Sequence, residues 1–168
     1  MATTNKKTII NLTRHGFFSL SGIANPTPTI DNLICEINAD YYIPIDETSI
    51  PTGEIRFVKD TPFDFRTPKT FGQDIDADNE QIKNGSGYDH CYVLNKTAAG
   101  EPGVQLYTDN FGSGFKGSHG ATFPRRSAIC LECQHFPDTP NHTYFPSVVL
   151  EPGEQYKQKT IYKFGITE

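Results

Sequence analysis

The strongest constraint on this chain is its rhythm. Short stretches alternate apolar and polar residues, and each is cut off by a glycine or proline turn. In "LICEINAD", Leu33, Cys35 and Ile37 fall on one side, and Ile34, Glu36 and Asn38 on the other. A period of two marks a strand with one face against a core. "GYDHCYVL" groups Asp89, Cys91 and Val93, and "GVQLYTDNF" groups Gln105 with Tyr107. "QYKQKTIYKFGI" sets Tyr156, Tyr162 and Phe164 against Lys157, Lys159 and Lys163. One wet face per strand is the habit of antiparallel sheets. The turns read "IPTGEI" from Ile50, "EPGV" from Glu101 and "EPGE" from Glu151, and the 12 prolines and 14 glycines supply the punctuation this requires. One short helix is predicted, from Asp76 to Lys83. The pattern predicts a mostly β chain, an antiparallel β-sandwich. A length of 168 residues is enough for one domain with a real core, spanning 1–168.

Charge and hydropathy exclude some classes of partner. A net charge of −5 argues against nucleic acid, which selects a basic face. No apolar run approaches the roughly eighteen residues of a membrane helix, so no membrane is expected. "MATTNKKTII" lacks the apolar stretch of a secretory signal, which predicts a cytoplasmic protein. The four cysteines are then reduced thiols.

One segment raises a sharper question. "ICLECQHFPDTPNHTYFPS" sets Glu132 between Cys130 and Cys133, with His135 and His142 behind. The residue types suit zinc, but the spacing is too short for a finger-type site. If Ile129–Cys133 is a strand, Cys130 and Cys133 face opposite ways and cannot share a metal. A redox pair usually opens a helix, where the dipole lowers the thiol pKa, and no helix is predicted here. Both cysteines read as core filler, and no metal site is expected. Glu132 is an acid in an apolar strand, and charges are seldom buried without a partner or a purpose. It is either a structural partner of Arg125 or Arg126, or a site residue. His15 in "TRHGFF", Asp89 in "GYDH" and Gln105 in "PGVQLY" are the other polar residues in apolar surroundings.

Six ordered blocks carry a family resemblance: "NLTRHGFFSLSG", "YIPIDETSIPTGEI", "TPFDFRTP", "GYDHCYVL", "EPGVQLYTDNF" and "CLECQHFPDTPNHTYFPSVVLEPGEQY". Together they resemble the aldose 1-epimerases, the galactose mutarotases, from about Thr8 to the C-terminus, as the C-terminal portion of that family. The resemblance implies an antiparallel β-sandwich of the galactose mutarotase type, here incomplete, with a cleft for a free hexose such as galactose or glucose. It implies interconversion of α and β anomers. Glu132 matches the family's general base and His15 its general acid. For both to act, the two are expected to face one common cavity, a hexose-width apart. Asp89 and Gln105 match residues that hold the sugar hydroxyls. His90, His119, His135 and His142 match no functional residue. Tyr107 or Phe111 offers an apolar face for the ring.

The chemistry suits these groups. A base takes the proton from the anomeric hydroxyl, an acid protonates the ring oxygen, and the ring opens to the aldehyde. Rotation about C1–C2 and closure give the other anomer. Both groups work in both directions, which favours pKa values near the working pH. An unperturbed Glu titrates near ~4.3 and a His near ~6.5, so burial of Glu132 would bring the two together. No cofactor is required.

The chain also departs from the family pattern. Members run to about twice its length, and the first half of the family fold is absent, with a second site histidine and an arginine. Between the "YVL" and "PGVQ" blocks only "NKTAAG" intervenes, where the family carries a further strand, so the sheet is expected to lose a strand or re-pair. Arg14 and Gly16 flank His15 in place of asparagine and serine, and Arg14 is expected to lower its pKa. Open edges of a partial sheet predict self-association. The alternatives to an enzyme are a non-catalytic sugar-binding pseudoenzyme and a truncated fragment without independent activity.

Overall fold

The structure, a computed structural model, describes residues 1–22, 25, 28–96 and 100–166. Its elements in chain order are β1 (Thr8–Ile9), β2 (Phe17–Phe18), β3 (Ile34–Cys35), β4 (Tyr41–Ile43), β5 (Arg56–Phe57), β6 (Lys69–Thr70), α1 (Glu80–Gly85), β7 (Asp89–Val93), β8 (Gly103–Tyr107), β9 (Ser113–Lys116), β10 (Thr122–Pro124), β11 (Ile129–Gln134) and β12 (Val149–Leu150). Six strands form one antiparallel sheet in the order β2-β11-β8-β7-β4-β5. Two-stranded ladders join β1 to β12, β9 to β10 and β3 to β6.

The register explains the alternation. Tyr42, Tyr92, Val104 and Cys133 form one row across the sheet, and His90, Leu106 and Leu131 the next. These residues point to one face, and all but His90 belong to the main apolar cluster. Connecting segments cover that face with Ile30, Ile37, Phe63, Phe65, Phe71, Ile75, Ile82 and Tyr88. The second layer is therefore built mostly of loops, with the β3–β6 ladder and α1, and the sandwich is an incomplete one. Phe63 sits at its centre, fully buried and stacked on Tyr42 with ring centroids 4.4 Å apart. The Tyr88 and Tyr92 hydroxyls, which burial would otherwise strand, donate to the Pro62 and Phe63 carbonyls. Burial of each such side chain contributes about 1.5–3 kcal/mol.

Helix α1 begins later than predicted. The Asn79 side chain accepts from the Gln81 and Ile82 amides and starts the helix there, leaving Asp76–Asp78 outside it. Ser86 closes the helix in the left-handed region at φ 55. Gly87 follows at φ +136, where a Cβ would collide with the Asn110 side chain. This tight turn sets the start of β7 and hence the position of Asp89.

Two predicted strands are largely unpaired. Of "LICEINAD", only Ile34 and Cys35 join a ladder, although Leu33 and Cys35 do pack on the core while Ile34 faces solvent. Beyond the Ala2–Tyr156 bridge, the C-terminal stretch forms no strand. Its side chains alternate as expected, with Tyr162 and Phe164 on Phe18 and the three lysines exposed. They settle on the sheet through side chains: Gln158 Nε2 donates to the Cys133 carbonyl (2.6 Å) and the Tyr162 hydroxyl to that of Leu131 (2.8 Å). Alternation reports which side is wet, not whether a backbone partner exists. Across "NKTAAG", β7 and β8 pair directly, from Asp89 with Tyr107 to Val93 with Gly103. Residues 97–99 of that connection lie outside the described residues.

Candidate active site

The opposite face of the six-stranded sheet carries the polar residues. Glu132, Gln105, Cys91 and Ile43 lie in one row across β11, β8, β7 and β4. Phe17, Cys130, Tyr107 and Asp89 make up the neighbouring row across β2, β11, β8 and β7. Three of the four residues singled out in the sequence therefore share a face because of strand parity and register alone.

His15 joins them from the segment leading into β2. Its ring stacks at a tilt on Phe17 (5.1 Å) and meets Tyr107 edge-on (5.7 Å). This brings Nε2 to 3.5 Å from Glu132 Oε1. The two are closer than the hexose-width separation expected from the sequence. Glu132 is buried while the His15 side chain is 53% exposed. The pair thus has a solvent-facing member and a desolvated one.

Electrostatics follow from this placement. Burial raises the Glu132 pKa above the usual carboxylate range, His15 opposes the rise, and the Asp89 carboxylate adds to it. Burial likewise raises Asp89, against the hydrogen bond from Gln105 and the proximity of His15. Gln105 Nε2 donates to Asp89 Oδ1 at 2.7 Å, while Gln105 Oε1 is buried without a partner. An unpaired buried acceptor beside a carboxylate is unusual in a finished core and suits a surface that receives donors.

The arginines do not pair with Glu132. Arg125 donates to the Asn110 and Ser86 carbonyls, and Arg126 forms a two-bond pair with Asp76. Cys130 and Cys133 fall on opposite faces of β11, as the strand assignment predicts. Burial pushes the Cys130 thiol up to about 12, contrary to what a redox nucleophile needs. Among the described residues, no group of three His, Cys, Asp or Glu is arranged to hold a metal. His135 pairs with Glu101 (2.8 Å), and His119 is exposed. His90 is buried behind the sheet, with its pKa lowered to about 3 by desolvation, so it is neutral. Its Nδ1 accepts from the Asp89 amide, which leaves Nε2–H to donate to Gln81 Oε1 at 3.1 Å.

Sequence reasoning missed the wall of the site. A pocket of about 90 Å³ adjoins the Asp89–Gln105 pair, lined also by Ile43, Ile45, Cys91, Ser49, Pro51 and Pro137. The "SIPTG" turn was the available signal. A larger cavity of about 660 Å³ lies beside β2, between Phe17, Phe115 and Phe123, away from Glu132.

With this geometry in view, the comparisons with known proteins are specific. Residues 1–163 match the family model described as aldose 1-epimerase. The chain belongs to the aldose 1-epimerase family. It is 40% identical to human galactose mutarotase over 98% of its own length and 52% of that protein. Against the Escherichia coli (strain K12) aldose 1-epimerase it is 31% identical, over 97% of this chain and 53% of the other. A solved GalM/aldose epimerase homologue from C. elegans superposes with a TM-score of 0.77 at 28% identity, covering 92% of this chain and 50% of that one. The galactose 1-epimerase structure from Lactobacillus acidophilus NCFM gives 0.73 at 27% identity, over 89% and 47%. The chain thus spans about half the length of the curated relatives it matches. The fold is that of the mutarotases, in part. Among the described residues no helix is long and apolar enough to cross a membrane.

Proposed function

We propose that this chain carries the acid/base pair of an aldose 1-epimerase and interconverts the α and β anomers of a free hexose such as galactose or glucose. The observation that supports this most directly is the approach of His15 Nε2 to Glu132 Oε1 at 3.5 Å, on the same sheet face as the Asp89–Gln105 pair. Glu132, ionised, accepts the proton of the anomeric hydroxyl. His15, as imidazolium, gives its proton to the ring oxygen, and the C1–O5 bond breaks. The aldehyde turns about C1–C2 and recloses, with each proton returned. Electrons and protons balance without an added reactant. Burial makes Glu132 a stronger base than a surface carboxylate, and positioned acid/base groups contribute about 10²–10⁴-fold each. Asp89 accepts from a sugar hydroxyl, and Gln105 offers its vacant Oε1 to another. The Tyr107 ring and Phe17 line the approach beside His15.

A second reading, sugar binding without turnover, is favoured by the exposure of His15. An acid that stands more than half in water exchanges its proton with solvent and gains less from a dry site. The test is proton NMR of freshly dissolved α-galactose, with wild type and Glu132→Ala. Anomer exchange above background in the wild type alone supports the epimerase. Background rates in both, with saturable sugar binding, support the binding module. Neither exchange nor binding means an inert fragment.

A further inference from the structure

The cavity beside β2 takes no part in the acid/base chemistry. It measures about 660 Å³, within the ~300–1,000 Å³ range of small-molecule sites. We propose that it is a binding site for an organic cation, a primary ammonium group on a flat apolar body, separate from the acid/base site.

Its walls select the apolar part. Phe17 stands on β2, and Phe115 and Phe123 are cross-strand partners on β9 and β10. Phe17 and Phe115 are 55% and 72% exposed, so much of their ring surface is left to water. Gly117 lets the Phe123 ring lie against the hairpin, since a Cβ there would stand 2.5 Å from it. Three aromatic walls suit a flat apolar guest, and their electron-rich faces attract a cation.

The polar groups select the charged part. Of the lining residues only Asp109 ionises at neutral pH, and Ser19 and Ser127 are the other polar side chains. Asp109 Oδ2 accepts from the Ser127 hydroxyl at 3.2 Å. Among the described residues no Lys, Arg or His forms an ion pair with it. Ser19 Oγ is buried and has no hydrogen-bond partner among the described residues. A primary ammonium has donors for both and supplies the countercharge. A neutral apolar guest would strip water from the carboxylate and return nothing, and a sugar would turn most of its hydroxyls toward phenylalanine rings. The net charge of −5 also draws cations.

The carboxylate is set in advance. Its neighbours Thr108 and Asn110 are buried and bonded to each other at 2.7 Å. The Asp109 carbonyl accepts from the Gly112 and Arg126 amides at 3.3 and 2.9 Å, and its backbone is held in the left-handed region at φ 50. Gly112 leaves the carboxylate its room, since a Cβ there would lie 2.8 Å from Oδ2. A group fixed in this way loses little freedom when a ligand arrives. Phe17 also packs on His15 and Tyr107, so the two sites share a ring and no charged group.

The experiment is a saturation-transfer NMR titration of the full chain at pH 7 with 2-phenylethylamine, 2-phenylethanol and 3-phenylpropanoate, which match in shape and differ in charge. The variants are Asp109→Asn, Phe115→Ala and Glu132→Gln, with thermal melts to establish that each is folded. The amine should bind about tenfold or more tightly than the alcohol, the scale of one hydrogen bond to a charged group, and the carboxylate probe more weakly than either. Asp109→Asn should remove the preference for the amine. Phe115→Ala, at a ring mostly in water, should keep the fold and weaken the amine about threefold, the scale of one cation–π contact. Glu132→Gln should bind the amine like wild type. An amine that binds no better than the alcohol, or that binds folded Asp109→Asn and Phe115→Ala like wild type, overturns the proposal. So does an amine lost in Glu132→Gln, which places it at the acid/base pair. If Asp109→Asn does not fold, the alcohol comparison and Phe115→Ala decide. Anomer exchange is read separately, so this site and the epimerase reading can each fail alone.

Discussion

Glu132→Gln separates catalysis from structure because the two roles predict opposite signs. The substitution keeps shape and removes the charge. Glu132 is buried, and Nε2 of the half-exposed His15 lies 3.5 Å from its Oε1. Burial raises its folded pKa above the unfolded value, so the folded state holds the proton more tightly. Stability is therefore free of the ionisation cost below the unfolded pKa, about 4.3, and carries it in full once pH exceeds the folded value. Loss of the base should lower the anomer exchange rate by about 10²–10⁴-fold, or roughly 2.7–5.4 kcal/mol of barrier. Stability should move the other way. Glu132→Gln should melt at the same temperature as wild type near pH 4, and higher than wild type at neutral pH. NMR exchange rates and melting curves across pH 4–8 measure both. A variant that loses exchange and is also destabilised at neutral pH would refute the assignment, because Glu132 would then be a structural partner rather than a strained base.

His15→Phe should abolish exchange but shift stability by no more than about 0.5 kcal/mol in urea titration, since the ring is half in solvent and Phe can keep the contacts with Phe17 and Tyr107. Gln81→Leu should cost about 2–6 kcal/mol in the same titration, because it leaves the buried Ile45 and His90 N–H donors without acceptors. Phe63→Ala should cost about 3–5 kcal/mol through the cavity left between Tyr42, Tyr88 and His90. At pH 8, Cys91 and Cys130 should resist a thiol-reactive disulfide dye in the native chain and react on unfolding, since both are buried with raised pKa values.

The site face was legible in the sequence to the extent that it depends on strand parity. Asp89 shares a face with Cys91, Gln105 with Tyr107, and Cys130 and Cys133 take opposite faces, as residue parity along each strand predicts. Pairing was not legible in the same way. The alternation of Tyr156 to Phe164 is real, yet those residues contact the sheet by side chains, because period two records solvent and not backbone partners. The approach of His15 depends on the path into a two-residue strand, β2, and on the Phe17 and Tyr107 rings, none of which has a local signature. The possible partnership of Glu132 with Arg125 or Arg126 failed for a similar reason. Arg126 sits in the left-handed region at φ 61, its guanidinium is spent on Asp76, and Arg125 turns to the Asn110 and Ser86 carbonyls. Gln81 lies within the predicted helix, and nothing local in the sequence shows that its side chain satisfies both the amide and the carbonyl of Ile45.

The rim of β11 beyond Cys130 is finished by single attachments rather than by a ladder: Tyr162 at Leu131, Gln158 at Cys133, and Asn11 at both the amide and carbonyl of His135. Such a hem can be unpicked stitch by stitch. Peeling it back would leave bare a β edge on the very strand that bears Glu132, ready to nucleate chain-on-chain growth. The C-terminal stretch is therefore what keeps that edge covered.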